Sequence, residues 1–260
     1  MKKRYTLFLC SALLISFASA KPLETETLSY ELDGVTFESV LVYPSNVSTK
    51  APGVLMIPNW MGPTEASLEK AKLVAGDSRL VMMVDMYGVD TRPSNGQEAG
   101  AAAGTLRGDR DLMRARAQKA LEVFRDAGSK HGLDEQKIAA IGFCFGGGAV
   151  LELGRTGADL DAIVSFHGDL LSPTLQEDAG RTHAKVLVLH GAEDPYVPQT
   201  DVDSFVSVML ETGVDWQLVQ FSGTVHSFTN PEADSDGSRY NARSAQRAFE
   251  MMNDLLAEVW

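Results

Sequence analysis

Cysteine is the residue that this sequence uses least, since only Cys10 and Cys144 occur among 260 residues. Cys10 lies in an apolar N-terminal run that we expect to be removed from the mature chain. The mature chain then holds a single thiol, which excludes an internal disulfide. A lone thiol in an exported protein is either a reactive group or a small buried hydrophobic side chain. Composition alone leaves both interpretations of Cys144 open.

Long hydrophobic runs are also scarce. The N-terminal run from Tyr5 to Phe17 is shorter than the roughly 20 residues that a membrane-spanning helix needs. Basic residues precede it, and Ala18-Ser19-Ala20 follows with the small residues of a signal-peptidase site. We therefore expect a signal peptide over residues 1–20, a single domain over residues 21–260, and a periplasmic or secreted protein. An uncleaved membrane anchor is the alternative.

Positive charge is the third shortage. The chain has 23 Lys and Arg against 35 Asp and Glu, a formal net charge of -12. Such acidity disfavours nucleic acid and anionic lipid as ligands. We expect a monomer that acts on a small molecule, with no nucleic-acid partner and no stable membrane anchor.

Short apolar runs alternate with amphipathic helical patterns along the chain. Fully apolar strands between such helices indicate an α/β fold with a mainly parallel twisted sheet and helices on both faces. Residues 28–45 read as two strands joined by Asp33-Gly34, which predicts an N-terminal antiparallel hairpin. Residues 89–108, rich in Gly and Ala without a clear period, predict a long loop. The predicted strands of the main sheet are 54–57, 80–84, 138–141, 162–166, 186–189 and 216–221.

The stretch KIAAIGFCFGGGAV, residues 137–150, carries the most specific signal. Cys144 stands between Gly142 and Gly146, after an apolar strand and before a helix predicted to begin near Gly147. This is the pattern of a nucleophile elbow, in which a tight turn exposes the central side chain above the sheet. A helix N-terminus beside the thiol favours the thiolate. A glycine-rich phosphate loop competes with this interpretation, but it lacks the Lys-Ser/Thr ending and the dinucleotide spacing.

A nucleophile elbow needs an acid and a histidine later in the chain. Asp194 follows the strand 186–189, and His226 follows the strand 216–221. Both lie in loops at strand carboxyl ends, where open α/β sheets bind their ligands. Otherwise Asp194 is a loop cap and His226 a surface residue. The rivals are His167 and His190 for the base, and Glu193 and Asp201 for the acid.

Three segments, GFCFGG, HGAEDPYVP and VHSFTNP, together resemble the dienelactone hydrolase family of the α/β-hydrolase fold. The resemblance covers nearly all of residues 21–260. It implies that Cys144 is the nucleophile, that His226 acts as general base and then acid, and that Asp194 orients the imidazole. It also implies that neither a metal nor an organic cofactor is needed.

Two further segments, PNWMGP and DMYG, fall where that family has its oxyanion loop and the following strand end. The resemblance implies an oxyanion hole formed by the backbone amides of Trp60 and Phe145. It places Asn59 and Tyr87 at the substrate pocket. A plain core aromatic is the alternative interpretation of Trp60.

The sequence departs from the family at its substrate contacts. Asn59 stands where dienelactone hydrolases have a glutamate that helps to form the thiolate, and Val89 and Asn230 stand where two arginines bind the lactone carboxylate. We expect Arg92, from the predicted loop, to reach the pocket instead.

These patterns predict a hydrolase of a small ester, lactone or thioester that uses a Cys-His-Asp triad and a thioester intermediate. A redox role for the thiol is one alternative, although no second cysteine remains to resolve it. A non-catalytic binding protein on the same scaffold is the other, because a fold does not guarantee an activity.

Overall fold

The computed structural model describes residues 22–45 and 50–260. The predicted signal peptide therefore lies outside the described residues. Eight strands of the described part form one sheet, in the order β1-β2-β4-β3-β5-β6-β7-β8. Their bounds are β1 Leu23–Leu32, β2 Val35–Pro44, β3 Ala51–Ile57, β4 Leu80–Met83, β5 Leu133–Phe143, β6 Ala162–Phe166, β7 Lys185–Gly191 and β8 Trp216–Phe221.

The predicted hairpin forms one edge of this sheet. Strands β1 and β2 pair antiparallel around Asp33-Gly34, and both turn residues have positive φ, 51° and 76°. That conformation suits a two-residue hairpin turn and explains the Asp-Gly pair. Strand β2 pairs antiparallel with β4, and all pairs from β4 through β8 are parallel.

Helices cover both faces of the sheet, as the sequence predicts. Along β3, Leu55 and Ile57 belong to the core beneath one layer of helices, while Val54 and Met56 belong to the core beneath the other. This alternation is why the central strands are apolar throughout. Within the described residues, no helix is long and apolar enough to cross a membrane. The helices are α1 Glu65–Ala75, α2 Gly96–Gly108, α3 Arg110–Ser129, α4 Phe145–Arg155, α5 Leu175–Asp178, α6 Gln199–Leu210 and α7 Ala242–Val259.

The long loop predicted for residues 89–108 is wrong. A short 3-10 turn occupies Val89–Thr91, and α2 begins at Gly96 and fills the segment to Gly108. The side chain of Asn95 caps α2 by accepting hydrogen bonds from the amides of Gln97 and Glu98, both at 3.0 Å. Alanine has the highest helix propensity, and the alanine-rich helix buries only a narrow face of small side chains with Leu106. That face is too short to show as a hydrophobic period in the sequence.

Replacing Asn95 with Ala tests this cap. The variant leaves two amides of the first turn without their acceptor, and we expect the free energy of unfolding in urea to fall by about 1 kcal/mol. The exposed neighbour Gln97→Ala, which leaves the cap intact, is the control. Equal stability of the two variants would show that the Asn95 side chain does not hold the start of α2.

Candidate active site

Cys144 occupies the tight turn between β5 and α4. Its backbone has φ 55° and ψ −118°, a conformation that non-glycine residues seldom adopt and that costs of order 1–3 kcal/mol. The helix begins at Phe145, two residues earlier than predicted, so the nucleophile candidate is itself the N-cap residue. The carbonyl of Cys144 accepts the amides of Gly147 at 2.9 Å and Gly148 at 3.3 Å. The turn thus holds the thiol at the positive end of α4.

The glycines on either side of Cys144 are required by close backbone contacts. A Cβ on Gly142 would collide with the backbone of Gly146 across the turn. A Cβ on Gly146 would collide with the carbonyl of Ile57 and lie 2.5 Å from the carbonyl of Pro58. The start of α4 therefore packs directly against the end of β3, which brings the two chain segments of the predicted oxyanion hole together.

Asp194 lies in the turn that follows β7, as predicted. Its Oδ1 accepts the amides of Tyr196 at 2.8 Å and Val197 at 3.2 Å, while its Oδ2 bonds Nδ1 of His226 at 2.6 Å. The carboxylate is fully buried. Three hydrogen bonds fix its orientation and leave one oxygen aimed at the imidazole.

His226 follows β8 and is held on both sides of its backbone. Its amide donates to the carbonyl of Gly237 at 3.2 Å, and its carbonyl accepts the amide of Arg239 at 3.0 Å. Burial alone would lower the pKa of His226, but its hydrogen bonds with Asp194 and Cys144 and the charges of those groups outweigh burial and raise the pKa to about 10. The imidazole is therefore protonated at neutral pH, between the carboxylate and the thiol.

His167, the main rival of His226, has a different place in the site. Its Nδ1 accepts the backbone amide of Cys144 at 3.1 Å, and its Nε2 bonds Oγ1 of Thr229 at 2.9 Å. Burial holds the pKa of His167 well below its ordinary value, so the ring is neutral. Because the acceptor nitrogen is Nδ1, Nε2 carries the proton and donates to Thr229. His167 therefore supports the turn of Cys144 and has no free nitrogen for the thiol.

Within the described residues, none of the remaining rivals is hydrogen-bonded to the His226 imidazole. The Glu193 carboxylate accepts the amide of Gly223 at 3.1 Å, and Asp201 lies in the first turn of α6. His190 is buried at the end of β7, and burial lowers the pKa of its imidazole. Of the predicted candidates, the structure thus joins Asp194 and His226 by a hydrogen bond and places Cys144 close enough to raise the pKa of His226.

The loop after β3 is held in a fixed turn beside α4. Oδ1 of Asn59 accepts the amide of Met61 at 3.0 Å, and the Asn59 carbonyl accepts the amide of Gly62 at 2.9 Å. The hydroxyl of Tyr87 donates to the carbonyl of Trp60 at 2.8 Å. Burial raises the pKa of Tyr87, so this donor stays protonated. Asn59 and Tyr87 therefore shape the predicted oxyanion loop.

The Trp60 side chain lies at the surface of the site. Its ring is 39% exposed and packs against α2, where Cβ atoms on Gly96 and Gly100 would lie 3.8 Å and 3.7 Å from the ring. It is therefore not a plain core aromatic. The small residues of α2 leave room for this ring.

Arg92 does not reach the pocket, which corrects the sequence expectation. Its Nη2 donates to Oδ2 of Asp85 at 2.9 Å and to the carbonyl of Glu38 at 2.7 Å. The same Asp85 carboxylate accepts the amides of Tyr87 and Gly88. Arg92 therefore stabilises the turn after β4 through Asp85. Charge-assisted hydrogen bonds of this kind are strong, and they fix the guanidinium of Arg92 at Asp85.

Arg107, which the sequence did not single out, lies beside Phe145, the residue that follows Cys144. It lies on α2 in the segment predicted to be a loop, its guanidinium 5.7 Å from the Phe145 ring, and it is paired with Asp169. Burial alone would lower the pKa of Arg107, but the hydrogen bond and charge of Asp169 and the charge of Cys144 raise it. Only the helical placement of residues 96–108 brings Arg107 to Phe145, and no motif indicated that helix.

The comparison with protein families decides the identity of the fold. The model of the "Dienelactone hydrolase family" matches residues 37–260. The chain belongs to the dienelactone hydrolase family. The resemblance drawn from the three motifs is confirmed, and so is the α/β-hydrolase fold.

Individual relatives agree with this assignment. A dienelactone hydrolase-like promiscuous phosphotriesterase from metagenomic libraries is 34% identical, with a TM-score of 0.85 over 91% of this chain and 98% of that one. A dienelactone hydrolase from Anabaena variabilis, 15% identical with a TM-score of 0.67 over 91% and 98% of the two chains, shares the fold. A protein from Saccharolobus solfataricus named "Putative carboxymethylenebutenolidase" is 29% identical over 143 residues, 55% of this chain and 50% of its own length.

Membership of the dienelactone hydrolase family makes this protein an ester hydrolase that acts on small esters or lactones. Within the described residues, no three His, Cys, Asp or Glu side chains are grouped so that they could hold a metal ion. The individual roles predicted for Cys144, Asp194 and His226 stay predictions.

A glycine-to-alanine pair tests the packing that builds this dienelactone hydrolase site. Gly146→Ala would force the start of α4 away from the carbonyls of Ile57 and Pro58, and we expect a loss of about 1–3 kcal/mol in unfolding free energy together with most of the esterase activity. Gly104→Ala in α2, where a Cβ meets nothing within 4 Å, should raise stability by about 0.5–1 kcal/mol. Normal activity in Gly146→Ala would contradict the proposed close approach.

Proposed function

We propose that this enzyme cleaves a small ester or lactone by covalent catalysis, with Cys144 as nucleophile, His226 as proton carrier and Asp194 as the residue that orients His226. The single observation that carries the proposal is that Asp194 hydrogen-bonds His226, while Cys144, at the strained turn before α4, lies close enough to His226 to raise its pKa. The order of these residues along the chain matches that of α/β-hydrolases.

The resting site favours attack by a thiolate. The pKa of His226, about 10, keeps the imidazole protonated at neutral pH, and a protonated imidazole beside a sulfur stabilises negative charge on it. The helix dipole of α4 acts in the same direction. Asn59 replaces the family's glutamate, so the His226 imidazolium supplies the activation that a carboxylate switch would otherwise give.

In the acylation step, the Cys144 sulfur attacks the carbonyl carbon and the carbonyl electrons move to oxygen. The amide of Phe145 is available to that oxyanion, because the first N–H groups of a helix have no intrahelical partner. The amide of Trp60, from the loop packed against α4, supplies the second donor of our proposal. When the tetrahedral intermediate collapses, His226 gives its proton to the departing alkoxide and a thioester remains on Cys144.

In the deacylation step, the neutral His226 imidazole takes a proton from water while the water oxygen attacks the thioester carbonyl. Collapse of the second tetrahedral intermediate breaks the carbon–sulfur bond and releases the carboxylic acid. The proton taken from water stays on His226, which restores the starting pair with the Cys144 thiolate. Asp194 keeps Nδ1 of the imidazole bonded throughout, so that Nε2 faces the reacting groups.

The contacts around the site support neutral acyl substrates. The Tyr87 and Phe145 rings stack beside the turn of Cys144 with their centres 5.6 Å apart. Arg107, the nearby cation, already donates hydrogen bonds from two of its nitrogens to Asp169. Val89 and Asn230, at the positions of the family's carboxylate-binding arginines, bring no positive charge.

Substitution of the two histidines and the cysteine tests the assignment. We expect Cys144→Ala and His226→Ala to lower kcat/KM for a short p-nitrophenyl ester by about 10³-fold or more, because each removes one of the proposed reacting groups. His167→Gln keeps a side-chain acceptor near the Cys144 amide and should lose much less. Circular dichroism and thermal unfolding of each variant control for folding.

The opposite order of the two histidines, with His167 essential and His226 dispensable, would overturn the assignment of the base. A protein that only binds esters on this scaffold would show no turnover in the wild type, since binding alone breaks no bond.

The pH dependence of an alkyl ester tests the raised pKa of His226. Because that pKa is raised, the imidazolium is present below about pH 10 and is lost above it. An alkoxide needs its proton, so we expect kcat/KM for an ethyl ester to fall as the pH rises through about 10. Asp194→Asn removes the carboxylate that raises this pKa and should move the fall to lower pH. If the alkaline fall of kcat/KM occurred at the same pH in Asp194→Asn as in the wild type, the proposed role of His226 would be contradicted.

A further inference from the structure

A pocket of about 730 Å³ lies beside the catalytic residues, between α1 and α7. This volume is within the range of small-molecule binding sites. Its apolar lining comes from both helices and from the strands beneath, and includes Met56, Leu73, Phe143 and Phe249. Neither Cys144 nor His226 lines it, but Asn59 of the loop after β3 and Asn230 do, so it opens beside the site of bond cleavage proposed above.

Lys70 of α1 supplies the positive charge in this pocket. Its Nζ lies 4.3 Å from the centre of the Phe143 ring and donates to the carbonyl and Oγ1 of Thr229 at 3.3 Å and 3.4 Å. Phe143 is a buried residue of β5, so the ammonium group sits at the floor of the pocket. Within residues 22–45 and 50–260, no carboxylate oxygen lies within 4.0 Å of it. A half-buried ammonium without a carboxylate partner is an uncommon feature.

We propose that this pocket binds an amphiphilic monocarboxylate, with the carboxylate on Nζ of Lys70 and the apolar body over Phe143 and Phe249. The two hydrogen bonds that Nζ makes leave its third proton free for an acceptor. A carboxylate there would form a charge-assisted hydrogen bond in surroundings from which water is partly excluded. The apolar lining offers the ligand's hydrocarbon portion a place out of water.

Three glutamates also line the pocket, and their positions decide whether the pocket attracts or repels an anion. Glu65, Glu69 and Glu232 are all exposed, and Glu69 is paired with Lys72 at 2.6 Å. Charges in water at the rim are screened strongly, whereas an ammonium at the apolar floor interacts at a lower effective dielectric constant. The floor therefore selects for an anion in spite of the acidic rim.

The pocket is connected to the catalytic turn by a chain of hydrogen bonds. Lys70 donates to Oγ1 of Thr229, which accepts Nε2 of His167, whose Nδ1 accepts the amide of Cys144. A ligand on Lys70 thus lies at the far end of the contacts that support the nucleophile. Ester hydrolysis releases carboxylic acids, so the proposed reaction itself generates this class of ligand. The binding claim does not rest on that reaction.

Protonation of Lys70 gives the proposal a pH signature. Burial lowers the pKa of Lys70 to about 8, so its charge is present below that pH and lost above it. The other titratable groups facing the pocket are Glu65, Glu69 and Glu232, and His167 lies behind Thr229 and is neutral. The positive charge of Lys70 is therefore lost as the pH rises through about 8, and we expect an anion to bind less tightly above that pH.

Calorimetric titration with sodium hexanoate tests the site. At pH 7 we expect Lys70→Met, which keeps the length and apolar stem of the side chain, to weaken binding roughly 10- to 100-fold. Lys72→Met, two residues along the same helix but paired with Glu69, is the matched control and should bind as the wild type does. Hexanamide, which has the same chain without the charge, should bind the wild type much more weakly than hexanoate does.

The proposal fails if Lys70→Met and Lys72→Met bind hexanoate equally, or if the wild type binds hexanamide as well as hexanoate. It also fails if alkylation of Cys144 with iodoacetamide abolishes hexanoate binding, since the ligand would then occupy the catalytic site. Unchanged binding in Cys144→Ala is expected whether or not the enzyme uses a thioester, so this experiment can succeed where the proposed mechanism fails.

Discussion

The close contact between the start of α4 and the end of β3 is the constraint on which the site depends. It requires glycine at 146, because any Cβ there would strike the carbonyl of Ile57. It also holds the loop of Asn59 and Trp60 beside the amide of Phe145 and leaves the turn at Cys144 in its strained conformation. Strain of this kind persists only where the surrounding structure over-determines it. Here the parallel strands on either side of β5 and the packed helix do so.

The electrostatic arrangement follows from that geometry. Asp194 is buried, and its Oδ1 accepts two backbone amides. This fixes the carboxylate so that Oδ2 faces the imidazole of His226. Burial alone would make the imidazole neutral, as it does for His167 only 5.1 Å away between ring centres. Two neighbouring histidines therefore carry different protonation states, because only one of them faces a carboxylate and a thiol.

The sequence predicted the parts that depend on short-range patterns. The glycines on either side of Cys144 indicate that backbone segments pack closely there. Asp194 and His226 follow apolar strands in the order that the fold demands. The sequence did not predict α2, whose stability comes from alanine and the Asn95 cap rather than from a hydrophobic period. Arg92 was misplaced because its partner, Asp85, follows a strand whose pairing with β2 brings Glu38 alongside. Lys70 and Arg107 were missed because no local motif marks them, and their positions near the site come from tertiary packing.

The most direct test of this account is a rapid-quench mass measurement on the wild type mixed with a p-nitrophenyl ester. Covalent catalysis predicts a transient species heavier by one acyl group, with the group on the peptide that contains Cys144, and its absence in Cys144→Ala. An acyl group found on another residue during turnover would contradict the account. Continued turnover by Cys144→Ala at the wild-type rate would contradict it equally.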